Sequence, residues 1–315
     1  MPNARVVIMG HCTIDDIYQP DGRVLARTPG GAAAYATVGA AMSDTRVTLV
    51  TLLGHDYPFE RLREGLSARG NVDTGPVRWL DRSSIHDVAR YGADGSRVFE
   101  IEDWTAMDEL TPGVEDIPLA VLDDAVVLLT PCDLDRQLEL VRFLRRHGRS
   151  VAVDTEIHYF PAEPARSTLR EVARHSSYFL PSIEHLQLLF DRRSVDPLDY
   201  ESELRALGCP WVSVKQGRTG STLFDCAEGR HWHIPAIEDV VVEDTTGAGD
   251  AYCGGFVAGL AAHETPLDAA CRGTVAASFV VESIGAGLPA HFDPALATRR
   301  YDGLCARVQR EFNSS

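Results

Sequence analysis

The sequence predicts an α/β fold, a doubly wound, mostly parallel sheet with a small antiparallel β lid, built as one domain over residues 1–315. Three observations lead there. Short β-branched runs alternate with amphipathic helical stretches, the rhythm of parallel strands joined by crossover helices. Two further stretches break that rhythm around Asp-Gly turns. And 315 residues with 44% hydrophobic content can bury a full core; no internal repeat, low-complexity tract or long linker divides them.

In chain order, "RVVIMG" (5–10) reads as the first strand of the main sheet. "RVTLVTLLG" (46–54) is the next, followed by the helical "PFERLREGLSARG" (58–70). "AVVLLTP" (125–131) precedes the helix "LDRQLELVRFLRRHG" (134–148), and "SVAVD" (150–154) is a further strand. "SYFLP" (177–181) leads into the helix "SIEHLQLLF" (182–190), and "WVSVKQG" (211–217) is a last strand of this set. Strands and helices alternating in this way imply parallel pairing with helices on both faces. The lid is read from residues 13–29 and 83–104, with turns at Asp21-Gly22 and Asp94-Gly95. An ordinary extension of the sheet edge is the alternative for these two stretches.

The formal net charge of −16 opposes long-range attraction to nucleic acid or an anionic membrane, so the expected partner is a small molecule. The seven cysteines are odd in number and scattered without CxxC spacing, which argues against a disulfide framework or a zinc site. With no apolar run of membrane-spanning length and no signal-like start, a soluble, cytoplasmic protein is expected.

The most informative stretch is "VVVEDTTGAGDAYCGGFVAGLAA" (240–262), a β-like apolar run that stops at an acid, passes through Gly-Ala-Gly and meets a second acid near the start of a small-residue helix. Ligands collect at the carboxyl ends of strands in such sheets, where this loop is expected. Gly247, Ala248 and Gly249 carry almost no side chain, so their N–H groups can approach an oxyanion at the amino end of a helix starting near Asp250. Asp250 is placed to accept the proton of a substrate hydroxyl while those N–H groups hold a transferring phosphoryl. A plain helix cap after a tight turn fits the spacing equally well.

"DTTGAGDAYCGGFVAGL" resembles the carboxyl-terminal signature of the PfkB, or ribokinase-like, carbohydrate and nucleoside kinases. "VVIMGHCTIDDI", "PGGAAAYATVGAA", "VTLVTLLGHD" with "GNVDTGPV", "WVSVKQGRTGS" and "AASFVVESIGAGLP" resemble other parts of that family in the right order. The resemblance implies a ribokinase-like fold and ATP-dependent transfer of the γ-phosphoryl group, with Mg²⁺, to a hydroxyl of a small sugar or polyol. Residue by residue, it implies Asp250 as catalytic base and Gly247, Ala248 and Gly249 as anion hole. Asp15 matches the acid that binds substrate hydroxyls, with neighbouring Asp16 able to exchange roles by a one-residue slip, and Gly30-Gly31 matches the pair that admits the substrate to the backbone. Lys215, Gly217 and Gly220 fall in the nucleotide loop; for Lys215 a solvated charge at a strand end is the alternative. Asp244 and the Thr246 carbonyl match a monovalent-cation site, for which K⁺ is the candidate, and a cap on the loop's own N–H groups is the alternative for Asp244.

Two departures stand out. Many members have Asn-x-x-Glu where this chain has Ser182 and His185, so Mg²⁺ is left either to Glu184 through water or mainly to the nucleotide phosphates. Tyr35 stands where ribokinases carry a substrate-contacting Asn; its ring suits a nucleobase or the apolar face of a polyol, or else a place in the core. A nucleoside kinase of the same family, and a catalytically silent sugar-binding or regulatory protein on this fold, are the competing readings. Pairing through an exposed lid makes a homodimer the expected assembly.

Overall fold

The computed structural model describes residues 5–67, 69–92, 97–101, 104–156 and 163–312. The first half of the chain contains strands β1 (Arg5–Met9), β2 (Thr13–Tyr18) and β3 (Val24–Gly30), helix α1 (Ala32–Ala41), β4 (Arg46–Val50), β5 (Leu52–Gly54), α2 (Phe59–Ser67), β6 (Val72–Asp73), β7 (Arg78–Leu80), β8 (Ile85–Tyr91), β9 (Arg97–Ile101) and α3 (Trp104–Glu109). There follow β10 (Ala125–Leu129), α4 (Leu134–Arg146), β11 (Ser150–Val153), α5 (Ala165–His175), β12 (Tyr178–Phe179), α6 (Ile183–Phe190) and α7 (Glu201–Leu207). β13 (Trp211–Lys215), β14 (Ser221–Asp225), β15 (Arg230–Ile234), α8 (Ala248–Ala261), α9 (Pro266–Val280) and α10 (Pro294–Phe312) complete it.

Nine strands form the main sheet in the order β15-β14-β13-β12-β11-β10-β1-β4-β6. Pairing is parallel from β6 to β13 and antiparallel from β13 to β15. The apolar runs of β1, β10 and β11 lie in the middle, where both faces are covered, so consecutive rather than alternating residues are buried. Helices on the two faces differ in kind. α4 buries a single stripe, Leu134, Gln137, Leu140, Val141 and Leu144, and turns its charges outward. α1 and α8 are apolar all round and almost wholly buried, packed against one another and against α9. Their close approach needs small residues: a Cβ on Gly254 would stand 1.9 Å from the Ala36 carbonyl oxygen.

The second sheet has the order β3-β2-β8-β9. Its two outer pairs are antiparallel, and β2 and β8 are joined in parallel at its centre. The turn expected at Asp21-Gly22 forms, with Gly22 at φ 85° and its N–H donating to the Gln19 carbonyl at 3.0 Å; the one at Asp94-Gly95 lies outside the described residues. One expectation is corrected. The run preceding Asp244 is not a strand, and Val241 and Val242 are 75% and 58% exposed. The β13–β15 meander already extends the sheet on that side, and the run crosses as a loop whose Glu243 and Asp244 N–H groups both donate to the Val281 carbonyl after α9. Among the described residues no helix is long and apolar enough to cross a membrane.

Candidate active site

Gly247 sits at φ 72°, a left-handed conformation, and a Cβ there would lie 2.1 Å from the Tyr35 ring. Both facts require glycine. The turn starts α8 at Ala248, two residues earlier than expected, and puts Asp250 in its first turn. The first-turn N–H groups of a helix have no partner four residues back, so those at the start of α8 lie at the helix's positive end, with that of Ala248 meeting the Thr245 carbonyl at 3.3 Å. The Asp250 carboxyl is pushed up to about 7, first by burial and then by the charges of Asp154 and Glu156, against the lowering effect of Lys215. A carboxyl at that value can take a proton near neutral pH.

Asp15, on β2, is 3% exposed, accepts a hydrogen bond from Thr13 Oγ1 at 2.5 Å, and is also pushed up to about 7, by burial first. Strand alternation separates it from Asp16, whose carboxylate accepts from the Arg27 N–H at 2.7 Å on the other face. The two acids therefore face opposite sides of β2. Gly30 lies directly against Asp15, since a Cβ on it would be 2.0 Å from Oδ2, and Gly31 starts α1 at φ 90°. Tyr35 is 2% exposed; its ring lies against Gly247, and its hydroxyl is buried without a hydrogen-bond partner among the described residues. Asp15, Asp244 and Asp250 and the Tyr91 phenol all act on that hydroxyl, so these groups share one neighbourhood.

On the other side of Asp250, Lys215 at the end of β13 is not a solvated charge. Its ammonium donates to Asp154 Oδ2 and to Cys253 Sγ (3.4 Å), and the Cys253 thiol in turn donates to Asp154 Oδ2 at 3.3 Å. A Cβ on Gly249 would lie 3.6 Å from Lys215 Nζ, which puts the ammonium beside the glycine loop. Gly217 begins the exposed turn after β13, and Gly220 ends it at φ 100° against the Ile234 carbonyl. α8 is pinned to β13 by a buried 2.7 Å hydrogen bond between the Tyr252 hydroxyl and Ser213.

The family pattern of the pfkB family carbohydrate kinases matches residues 3–292. A cytidine kinase of Thermococcus kodakarensis is 33% identical over 260 residues, 81% of this chain and 87% of that protein. The chain belongs to the pfkB family of carbohydrate kinases. It is thus a phosphotransferase with an alcohol group as acceptor. An inositol 3-kinase of Arabidopsis thaliana is 28% identical over 293 residues, 90% of this chain and 76% of that protein. The ribokinase-like fold is shared with the Arabidopsis thaliana ribokinase solved with ribose and ATP, at TM-score 0.74 and 20% identity, covering 96% of this chain and 99% of that one.

Ser182 and His185, where Asn-x-x-Glu was expected, lie at the start of α6. Ser182 and His185 close a reciprocal cap: the His185 N–H donates to Ser182 Oγ at 3.4 Å and the Ser182 N–H donates to His185 Nδ1 at 3.1 Å. Burial lowers the His185 imidazole to about 4, so it is neutral at pH 7. Glu184 beside it is exposed. Asp244, 2% exposed, accepts from the Thr246 N–H at 2.7 Å through Oδ1, while Oδ2 is buried without a hydrogen-bond partner among the described residues.

Two residues in this neighbourhood were not anticipated. Asp154 stands just beyond β11, at the carboxyl end of a central parallel strand, and that position was itself a usable signal. Tyr91, at the end of β8, donates its hydroxyl to Asp244 Oδ1 and also meets Thr246 Oγ1. Nothing local in the sequence marks it. Among the described residues no group of three or more His, Cys, Asp or Glu side chains is arranged to hold a metal ion.

Proposed function

We propose that this kinase transfers the γ-phosphoryl group of ATP to a hydroxyl of a small sugar or polyol. The carrying observation is Asp250: a carboxyl pushed up to about 7, in the first turn of a helix whose positive amino end suits an anion. Asp250 accepts the proton of the acceptor hydroxyl as its oxygen attacks phosphorus, and the Gly247, Ala248 and Gly249 segment receives the phosphoryl oxygens. Asp15 binds further hydroxyls of the acceptor, and Gly30 and Gly31 let it lie against the backbone. Lys215, with the Gly217–Gly220 turn, faces the nucleotide.

The residues present would suit only a weakly held Mg²⁺, which exposed Glu184 would reach through water, with the nucleotide phosphates as its main ligands. Bound there, Mg²⁺ neutralises charge on the phosphates. The unpartnered Asp244 Oδ2 similarly suits K⁺, with Thr246 beside it. The β3-β2-β8-β9 sheet acts as a lid that excludes water and limits idle ATP hydrolysis. Its edge strands expose Val24 and Val98, and two copies pair through it; sedimentation at micromolar concentration reads that pairing.

A nucleoside acceptor is the second reading, favoured by the 33% identity to a cytidine kinase over most of the chain. The test is ADP release from Mg-ATP with ribose, fructose, 2-keto-3-deoxygluconate, myo-inositol, adenosine, cytidine and guanosine, each with and without K⁺. Turnover with a free sugar or inositol supports the first reading, and turnover with a nucleoside alone replaces it. No transfer to any acceptor, with ATP bound, counts against both.

A further inference from the structure

Lys215 is the only lysine in the chain; every other basic side chain of the Lys and Arg type is arginine. Its side chain is only 13% exposed, and its ion-pair partner is Asp154, itself 3% exposed. The pair is closed from a third side by Cys253, whose thiol bonds to both charges from the second turn of α8. The ammonium therefore stands between two acids, Asp154 after β11 and Asp250 on α8, and is bonded to the one that does no chemistry in the proposed reaction.

We propose that Asp154 is a positioning residue: it holds the Lys215 ammonium beside Gly249 and off the Asp250 carboxylate. Asp250 is thereby left free to accept a proton, and the lysine's charge stays on the phosphoryl side. The inference rests on the reading of Asp250 as base. An ammonium paired directly with Asp250 would stabilise its anion and make it a weaker base, as an opposite charge within hydrogen-bond reach does. The groups that act on Asp250 are Asp154 and Glu156 from the end of β11 and Lys215 from β13. Asp250 in turn acts on Tyr35 of α1 and Cys253 of its own helix, and His185 of α6 feels both Asp154 and Lys215. Lys215 is the one cation among them.

The charges make the two halves of the pair distinguishable. In Asp154→Asn the lysine is released toward Asp250 and a like charge is lost, so the Asp250 midpoint moves down, by about one pH unit or more. In Lys215→Met the lowering charge is lost and the midpoint moves up by a similar amount. Adding Asp154→Asn to Lys215→Met produces a smaller downward shift than in the wild type, because no ammonium is left to release. The double variant removes both members of the Asp154–Lys215 pair and so leaves neither of them unpaired, which keeps the test usable should Asp154→Asn fail to fold.

The experiment is a ¹³C carboxyl titration of ligand-free, aspartate-labelled protein, with the Asp250 signal assigned by its loss in Asp250→Asn, alongside the pH profile of kcat/KM. Opposite shifts in the two single variants, mirrored in the acid limb of the profile, are the expected result. An Asp250 midpoint that stays within a few tenths of a unit in both, or moves the same way in both, overturns the proposal. Because the titration needs no substrate, it is decided even where wild-type protein transfers no phosphoryl group, an outcome that speaks against the kinase chemistry instead.

Discussion

Asp15 and Asp250 stand in two halves of one neighbourhood around the Tyr35 hydroxyl, and burial pushes both carboxyls up to about 7. Their surroundings differ. Beside Asp250 there is a fixed cation, Lys215, held by Asp154. Around Asp15 the groups that act are the Thr13 hydroxyl and two further acids, Asp244 and Asp16, with no cation among them. A half meant for phosphates has its positive charge built in, together with a helix amino end. A half lined with acids and phenols offers acceptors, and is satisfied by a ligand that brings hydroxyl donors. On the proposed function the contrast divides this neighbourhood into a phosphate side and a hydroxyl side, and the variants below separate the two.

Asp250→Asn gives the largest effect. It keeps the shape of the α8 turn and removes the base, so kcat falls by about two orders of magnitude or more with the circular dichroism spectrum unchanged. Near-normal turnover in this variant would take Asp250 out of the mechanism. In the wild type the same assignment requires kcat/KM to rise with pH through a midpoint near 7, as the carboxyl loses its proton.

Asp15→Asn strikes the hydroxyl side. Hydrogen bonds to a charged acceptor contribute about 1.5–3 kcal/mol each, so kcat/KM for the acceptor falls roughly ten- to a hundredfold while the KM for ATP holds. The substitution has an opposite effect on stability. The folded carboxyl binds a proton up to about pH 7, against 3.8 for its ordinary value. Between these limits the folded state holds a proton the unfolded state has lost, so stability declines as pH rises from about 4 to 7 and the cost is complete above 7. Asp15→Asn therefore raises Tm at pH 8 and leaves it unchanged at pH 3.5. Equal Tm changes at both pH values would mean the carboxyl is not held protonated by the fold.

Much of this neighbourhood was legible in the sequence, for reasons that also mark the boundary. β1, β10 and β11 announce themselves because strands covered on both faces must be continuously apolar. The signature loop is legible because glycine at a left-handed turn, and an acid at a helix start, are local requirements. Val240 to Val242 has the same β-branched composition as those strands and yet forms an exposed loop, since its state depends on whether a sheet edge is open beside it. The Asp154–Lys215 pair spans 61 positions, and the Tyr91 contact with Asp244 spans 153. Such pairings are set by strand order, which composition and periodicity do not specify.

Tyr91→Phe is the smallest and sharpest test of the divided neighbourhood. The phenol belongs to β8, in the small sheet, but its hydroxyl bonds to Asp244 and Thr246, in the loop that supplies Gly247. One atom thus ties the hydroxyl side to the phosphate side. Net hydrogen-bond contributions of about 0.5–1.5 kcal/mol make the loss in kcat/KM only two- to tenfold. What distinguishes a tie from a mere packing contact is the fate of ATP. If the small sheet closes over the site through this hydroxyl, the variant admits water to the phosphoryl group, and ADP release without acceptor rises relative to transfer. An unchanged ratio of idle hydrolysis to transfer, with kcat/KM reduced, would assign Tyr91 to the acceptor's own binding site and leave the two halves to close by other contacts.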